Sequence, residues 1–153
     1  MTTKNPEEWM EKALALAEEA AQAGEIPVGC VILDNEGHIL GYGRNRRQER
    51  HDATAHAEVE AIRMACEARG DWHLDDCTLF VTLEPCPMCA GAILNARLKT
   101  VVYGAREPKS GSLGSVIDLY AEAYGYHPRV YGGVCREECA GLMEEFFAGL
   151  RKW

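Results

Sequence analysis

The sequence predicts an α/β fold layered around one sheet. Three observations predict it: short apolar runs bounded by turn residues alternate with stretches of helical periodicity, the length is that of one ordinary domain, and the composition is that of a globular protein. A chain of 153 residues can bury a sizeable core without disulfides or a partner, so one domain over 1–153 is expected. Apolar residues make up 47% and charged residues 26% of the chain, which excludes disorder. No apolar run approaches the roughly 20 residues of a membrane-spanning helix, so no membrane partner is expected. Met1 to Glu8 carries charge and a proline where a signal peptide would place a basic residue and an apolar run, and the expected location is cytoplasmic. Seven cysteines, an odd number, suit a reducing compartment in which most thiols are small buried residues and a few serve a metal or catalysis. The formal charge of -8 opposes indiscriminate binding to a polyanion, although local clustering can reverse the sign at one face.

Each element has its own signal. Asn5 can cap the first helix, Pro6 suits its first position, Glu7 and Glu8 meet its positive end, and Gly24 follows its end. Trp9, Ala13, Leu16, Ala17 and Ala20 recur at helical spacing and should face the core. The apolar run 28–33, the turn residues Asp34-Asn35-Glu36-Gly37 and the extended segment 39–43 read as a hairpin. An arginine-rich loop follows. Thr54 is a candidate cap for a helix over 55–68, ending near Gly70. A strand over 78–83 leads through Pro85-Cys86-Pro87 into an apolar helix reaching about residue 96, and a further strand covers 100–103. The remainder predicts a short helix at 116–121, a strand at 129–131 and a final helix at 136–151. There are no repeats, low-complexity tracts or linker-like stretches.

Two short motifs carry chemistry, and each opens a predicted helix: His56-Ala57-Glu58 and Pro85-Cys86-Pro87-Met88-Cys89. With Pro87 as the first helical residue, Cys86 is the cap and Cys89 falls three residues on, so both sulfurs lie on one helix end. Orphan N–H groups and the helix dipole favour the thiolate there, and the thiolate is the zinc ligand. One imidazole and two thiolates make three protein ligands and leave a tetrahedral Zn2+, one per subunit, with the open position of a catalytic site. Zinc lowers the pKa of bound water to about 7 and so supplies hydroxide at neutral pH, while an amine leaves only once protonated. Glu58, two residues past His56, can reach the fourth position without being a ligand and is assigned the proton transfer. A Cys-x-x-Cys by itself is more often structural than catalytic, and a lone Glu58 would simply complement the helix dipole; the combination decides.

The His-x-Glu and Pro-Cys-x-x-Cys pattern resembles the zinc deaminases of the cytidine and deoxycytidylate class. The surroundings are similar to those of the tRNA-editing adenosine deaminases in particular: Ile26-Pro27-Val28-Gly29, Asn45, Thr54-Ala55-His56-Ala57-Glu58, Thr82-Leu83-Glu84-Pro85-Cys86, Met88-Cys89-Ala90-Gly91-Ala92 and Val102-Tyr103-Gly104-Ala105-Arg106. The resemblance runs from the first helix to Phe146-Phe147. It implies a cytidine-deaminase-like three-layer α/β/α fold with a five-stranded mixed sheet, a homodimer with active sites near its interface, and hydrolysis of adenosine to inosine at the wobble position of a tRNA anticodon. It further implies that Asn45 and the backbone N–H of Ala57 contact the base.

Arg44, Arg46, Arg47 and Arg50, beside His51, form either a solvated charged loop or the basic patch with which an acidic protein would hold an anticodon stem-loop. Lys109, Arg129, Arg151 and Lys152 are candidates to extend that patch. Of Phe146 and Phe147, adjacent on a helix, one should enter the core, and the resemblance implies that the exposed one packs beside the flipped base. Arg46 of the basic segment and, by the resemblance, Glu107 and Phe147 are taken as substrate contacts. Two departures stand out: Glu107-Pro108-Lys109 where the resembled family commonly has an aspartate, and Tyr126-His127-Pro128 where many members have Asn-His. Cys135 and Cys139, one helical turn apart, read as packing residues, as do Cys30, Cys66 and Cys77. The rival functions are a free base or nucleoside deaminase using the same metal, and a zinc-stabilised RNA-binding module without turnover. The latter gives no role to Glu58 and would fill all four metal positions with side chains.

Overall fold

A computed structural model describes residues 5–150, so the expected contributions of Arg151 and Lys152 lie outside the described residues. The elements follow in the order α1 (Pro6–Gln22), β1 (Gly29–Leu33), β2 (Ile39–Arg44), α2 (Arg47–Arg50), α3 (Ala57–Arg69), β3 (Thr78–Leu83), α4 (Pro87–Asn95), β4 (Thr100–Ala105), β5 (Arg129–Gly132) and α5 (Arg136–Leu150). The sheet order is β2-β1-β3-β4-β5. β1 pairs antiparallel with β2 and with β3, whereas β3–β4 and β4–β5 are parallel, so the sheet is mixed, as expected.

The central strands are buried on both faces, which is why they read as continuous apolar runs. Cys30, Ile32, Leu79, Val81, Val101 and Tyr103 face α3 and α4, where Ala57, Ala61, Ala65, Ala90 and Ile93 meet them. Their alternates Val31, Leu33, Phe80 and Val102 face the opposite layer, built on Trp9, Met10 and Ala13 of α1 and Cys139 of α5. Two-residue alternation along each strand thus separates the chain into three layers. Small residues bring α3 close to the sheet: a Cβ on Gly43 would sit 2.7 Å from the Ala57 carbonyl, and one on Gly41 would collide with that of Ala61. This contact fixes where the first turn of α3 ends up.

The local chemistry differs from expectation at three places. Thr54 does not cap α3; its backbone N–H and hydroxyl both turn onto Asp52 Oδ1, at 2.8 and 2.7 Å, and His56 is the cap residue. The arginine-rich loop contains a one-turn helix, α2, closed by His51 at φ 50°. The predicted helix at 116–121 shrinks to a 3-10 turn at Leu119–Ala121, leaving Val116 and Ile117 exposed. Cys135 sits just before α5 at φ 54°, while Cys139 packs in the core. Among the described residues no helix is long and apolar enough to cross a membrane.

Candidate active site

Both chemical motifs open helices that lie on the same face of the sheet. His56 caps α3 and Cys86 caps α4, each in extended conformation, with Pro87 starting α4. Placed this way, the ligand atoms of His56, Cys86 and Cys89 all fall within 4.8 Å of one another. His56 Nδ1 lies 3.6 Å from Cys86 Sγ and 3.4 Å from Cys89 Sγ. Among the described residues this is the one His/Cys/Asp/Glu group so arranged.

The protons in this cluster are shared. The Cys89 thiol, aided by His56 and opposed by burial, brings Cys86 down to about 4. Bonding to that sulfur, together with burial, pushes Cys89 well above the ordinary thiol range. The bond from Cys86 raises His56. Glu58 is 4% exposed, and burial, reinforced by the nearby Cys86 charge, pushes its carboxyl up to about 7. Two sulfurs and a carboxylate thus converge beside one imidazole, a cluster whose negative charge a dication at the converging donors would offset. The donor set of one imidazole and two thiolates suits zinc.

The cluster lies against a cavity of about 120 Å³ lined by Ile26, Val28, Asn45, Arg47, Leu83, Glu107 and Phe147, with His56, Glu58 and Cys86 in its wall. Asn45 is buried and spans two segments: Oδ1 accepts the Ala57 N–H at 2.9 Å and Nδ2 donates to the Ile26 carbonyl at 3.1 Å. The two groups expected to meet a base are therefore bonded to each other here. Glu107 is half-buried in the wall, and its Oε1 accepts the Lys109 N–H at 3.0 Å. Phe147 is 37% exposed and contacts Phe146 edge-on at 5.4 Å between ring centroids. Neither ring enters the core; both line a second hollow of about 310 Å³ that shares Ile26, Asn45, Arg47 and Phe147 with the cavity.

The basic segment is divided. Arg44 and Arg46 bond Glu49 at 2.9 and 2.7 Å, and Arg50 bonds Glu60 at 2.6 Å. Arg46 thus points to a separate hollow beside Tyr42, while Arg47 lines the cavity and forms no ion pair among the described residues. Sequence reasoning singled out Arg46; the signal that would have selected Arg47 is the helical turn, which rotates successive side chains by about 100°. Of the two departures, Tyr126 lies away from the cavity, its hydroxyl on the Arg97 carbonyl at 3.0 Å and its ring 5.6 Å from the Arg97 guanidinium.

Residues 3–105 match the model of the cytidine and deoxycytidylate deaminase zinc-binding region. This chain belongs to that family. It is 43% identical to the tRNA-specific adenosine deaminase of Bacillus subtilis, over 94% of this chain and 89% of that protein. It superimposes at a TM-score of 0.85 on a solved tRNA:A34 deaminase, from work on A-to-I editing at the wobble position of transfer RNA, with 42% identity over 88% of this chain and 98% of the other. It is also 52% identical to the tRNA(Ile)-lysidine synthase of Deinococcus radiodurans over 143 residues, spanning 25% of that longer protein. His56, Cys86 and Cys89, all within the matched zinc-binding region, are the three donors that the structure brings together.

Proposed function

We propose that residues 1–153 act as one deaminase domain that converts adenosine to inosine at the wobble position of a tRNA anticodon. The observation that carries this is the convergence of His56, Cys86 and Cys89 beside the buried Glu58, at the wall of a small cavity. The likeness to the tRNA-specific adenosine deaminase of Bacillus subtilis supports RNA as the substrate.

Zinc, held by His56 Nδ1 and the two sulfurs, would supply a Lewis-acidic position at which water is acidified. Glu58 takes a proton from water and returns it to the departing amine; its burial at the cavity wall favours the protonated form and so the return step. Cys89 and Glu58 are buried, Glu58 at the cavity wall, and Asn45 keeps the first turn of α3, and with it His56, in place through the Ala57 N–H. The base enters from the cavity mouth, exchanging contacts with Asn45 and the Ala57 N–H, with Glu107 and Arg47 in the cavity lining. Because chemistry on a base requires it to be unstacked, the hollow beside Phe146 and Phe147 receives its neighbours, and Arg46 meets the backbone further out. The proposed assembly is a cytoplasmic homodimer, for which exposed Val116, Ile117, Tyr124 and Tyr131 offer apolar surface.

The test is to incubate the zinc-loaded protein with an anticodon stem-loop bearing the wobble adenosine and, separately, with guanine, cytosine and adenosine, and to measure inosine and ammonia. Inosine in the stem-loop is expected. Turnover of the free compounds alone would replace this reading by a small-molecule deaminase.

A further inference from the structure

Two carboxylates that the zinc chemistry does not use are buried beside the cavity, Glu84 in its lining and Glu25 in that of the adjoining hollow. Glu25 and Glu84 are each 2% exposed, and neither joins an ion pair among the described residues. Each is instead filled by donors from a loop that contributes a cavity wall. Glu25 Oε1 accepts the Gln48 N–H at 3.1 Å and Oε2 the Glu49 N–H at 2.9 Å, in the turn that begins with the cavity-lining Arg47. Glu84 Oε1 accepts the Glu107 N–H at 3.1 Å and the Ser115 hydroxyl, while Oε2 accepts the N–H groups of Leu113 at 3.0 Å and Ser115 at 3.1 Å. The loop closes tightly over this carboxylate, since a Cβ on Gly111 would strike it. Glu107 and Ser110, carried by that loop, line the cavity.

A carboxylate removed from water is tolerable only while its lone pairs are satisfied, so each of these groups selects one loop conformation among many. Glu25 thereby holds the basic wall and Glu84 the acidic wall, by bonds that reach 23 or more positions along the chain. We propose that Glu25 and Glu84 are positioning residues that set the two walls for a nucleotide within an RNA loop, Glu25 acting through Arg47 and Glu84 through Glu107. The inference rests on the tRNA reading above.

The test uses Glu25→Gln and Glu84→Gln, in which an amide of the same shape turns one acceptor into a donor facing N–H groups. KM and kcat on the anticodon stem-loop, zinc content and Tm are measured, alone and in Arg47→Ala and Glu107→Ala backgrounds. KM is expected to rise roughly tenfold while kcat changes far less, with one zinc per chain retained. Glu25→Gln adds little in the Arg47→Ala background, and Glu84→Gln little in the Glu107→Ala background, because the wall residue is already lost. Should a glutamine variant fail to fold, Glu25→Asp and Ser115→Ala weaken the same bonds and must show the same non-additivity. An unchanged KM, additive costs or loss of zinc overturns the proposal while wild-type turnover stands. Wild-type protein inactive on the stem-loop overturns the functional reading, and the inference with it.

Discussion

Replacing Glu58 by glutamine separates the two consequences of burying a carboxylate beside two sulfurs. The carboxyl sits at about 7 against an ordinary 4.5, chiefly because it is buried. In protein stripped of zinc by a chelator, the folded state therefore binds a proton more tightly than the unfolded state. Stability linked to this group is fully present below pH 4.5 and is lost as the pH rises to about 7 and beyond. At ~1.4 kcal/mol per tenfold in proton affinity, the loss amounts to about 3 kcal/mol, which Glu58→Gln does not suffer. For a domain of this size that corresponds to a Tm difference of roughly 6–12 °C, opening between acid and mildly alkaline pH. The assay is thermal unfolding of both chelated proteins across this pH range. The same substitution in the zinc-loaded enzyme should keep the metal and lower kcat by roughly 10²–10⁴, because the amide can neither take nor return a proton. Parallel pH profiles of the two chelated proteins would refute the burial argument. Near-normal turnover with zinc retained would remove Glu58 from the chemistry.

Three further outcomes follow from other contacts. Cys89→Ala should abolish zinc retention and turnover together, and chelation of the wild type should do the same reversibly, with metal analysis and inosine formation as the readouts. Asn45→Ala leaves the Ala57 N–H and the Ile26 carbonyl without the side chain that joins them; stability should fall by about 1–3 kcal/mol in denaturant titration, with weaker zinc binding alongside a higher KM. The Arg69 guanidinium holds the Asp76 carboxyl below its ordinary value of 3.8, so the stability it contributes is present above that value and is lost as the pH falls through the lower folded value; Asp76→Asn should flatten the acid limb of the unfolding profile.

The convergence of the candidate ligands was legible because metal ligands obey local rules. Pro87 fixes the start of α4, so Cys86 as cap and Cys89 three residues on can be read from five letters, and His56-Ala57-Glu58 completes the set. The strands were legible because burial on both faces demands unbroken apolar runs, and 78–83 is read to the residue. Capping at α3 was misread: Asp52 lies two positions before Thr54 and takes both of its donors, a competition between neighbours that a residue-by-residue reading misses.

What the sequence determined by itself is short-range: which segments are helical or extended, which residues form the candidate metal-ligand set, and that a carboxylate, Glu58, stands two residues from one of them. Only the tertiary structure decided that Arg47 rather than Arg46 lines the cavity, that Asn45 bonds the N–H of Ala57, and that Glu25 and Glu84 accept the N–H groups of Gln48 and Glu107. The reason is physical. Caps, strand alternation and ligand spacing depend on backbone geometry within a few residues, whereas a buried carboxylate finds its donors wherever the packed layers bring them, here as far as 31 positions away in sequence.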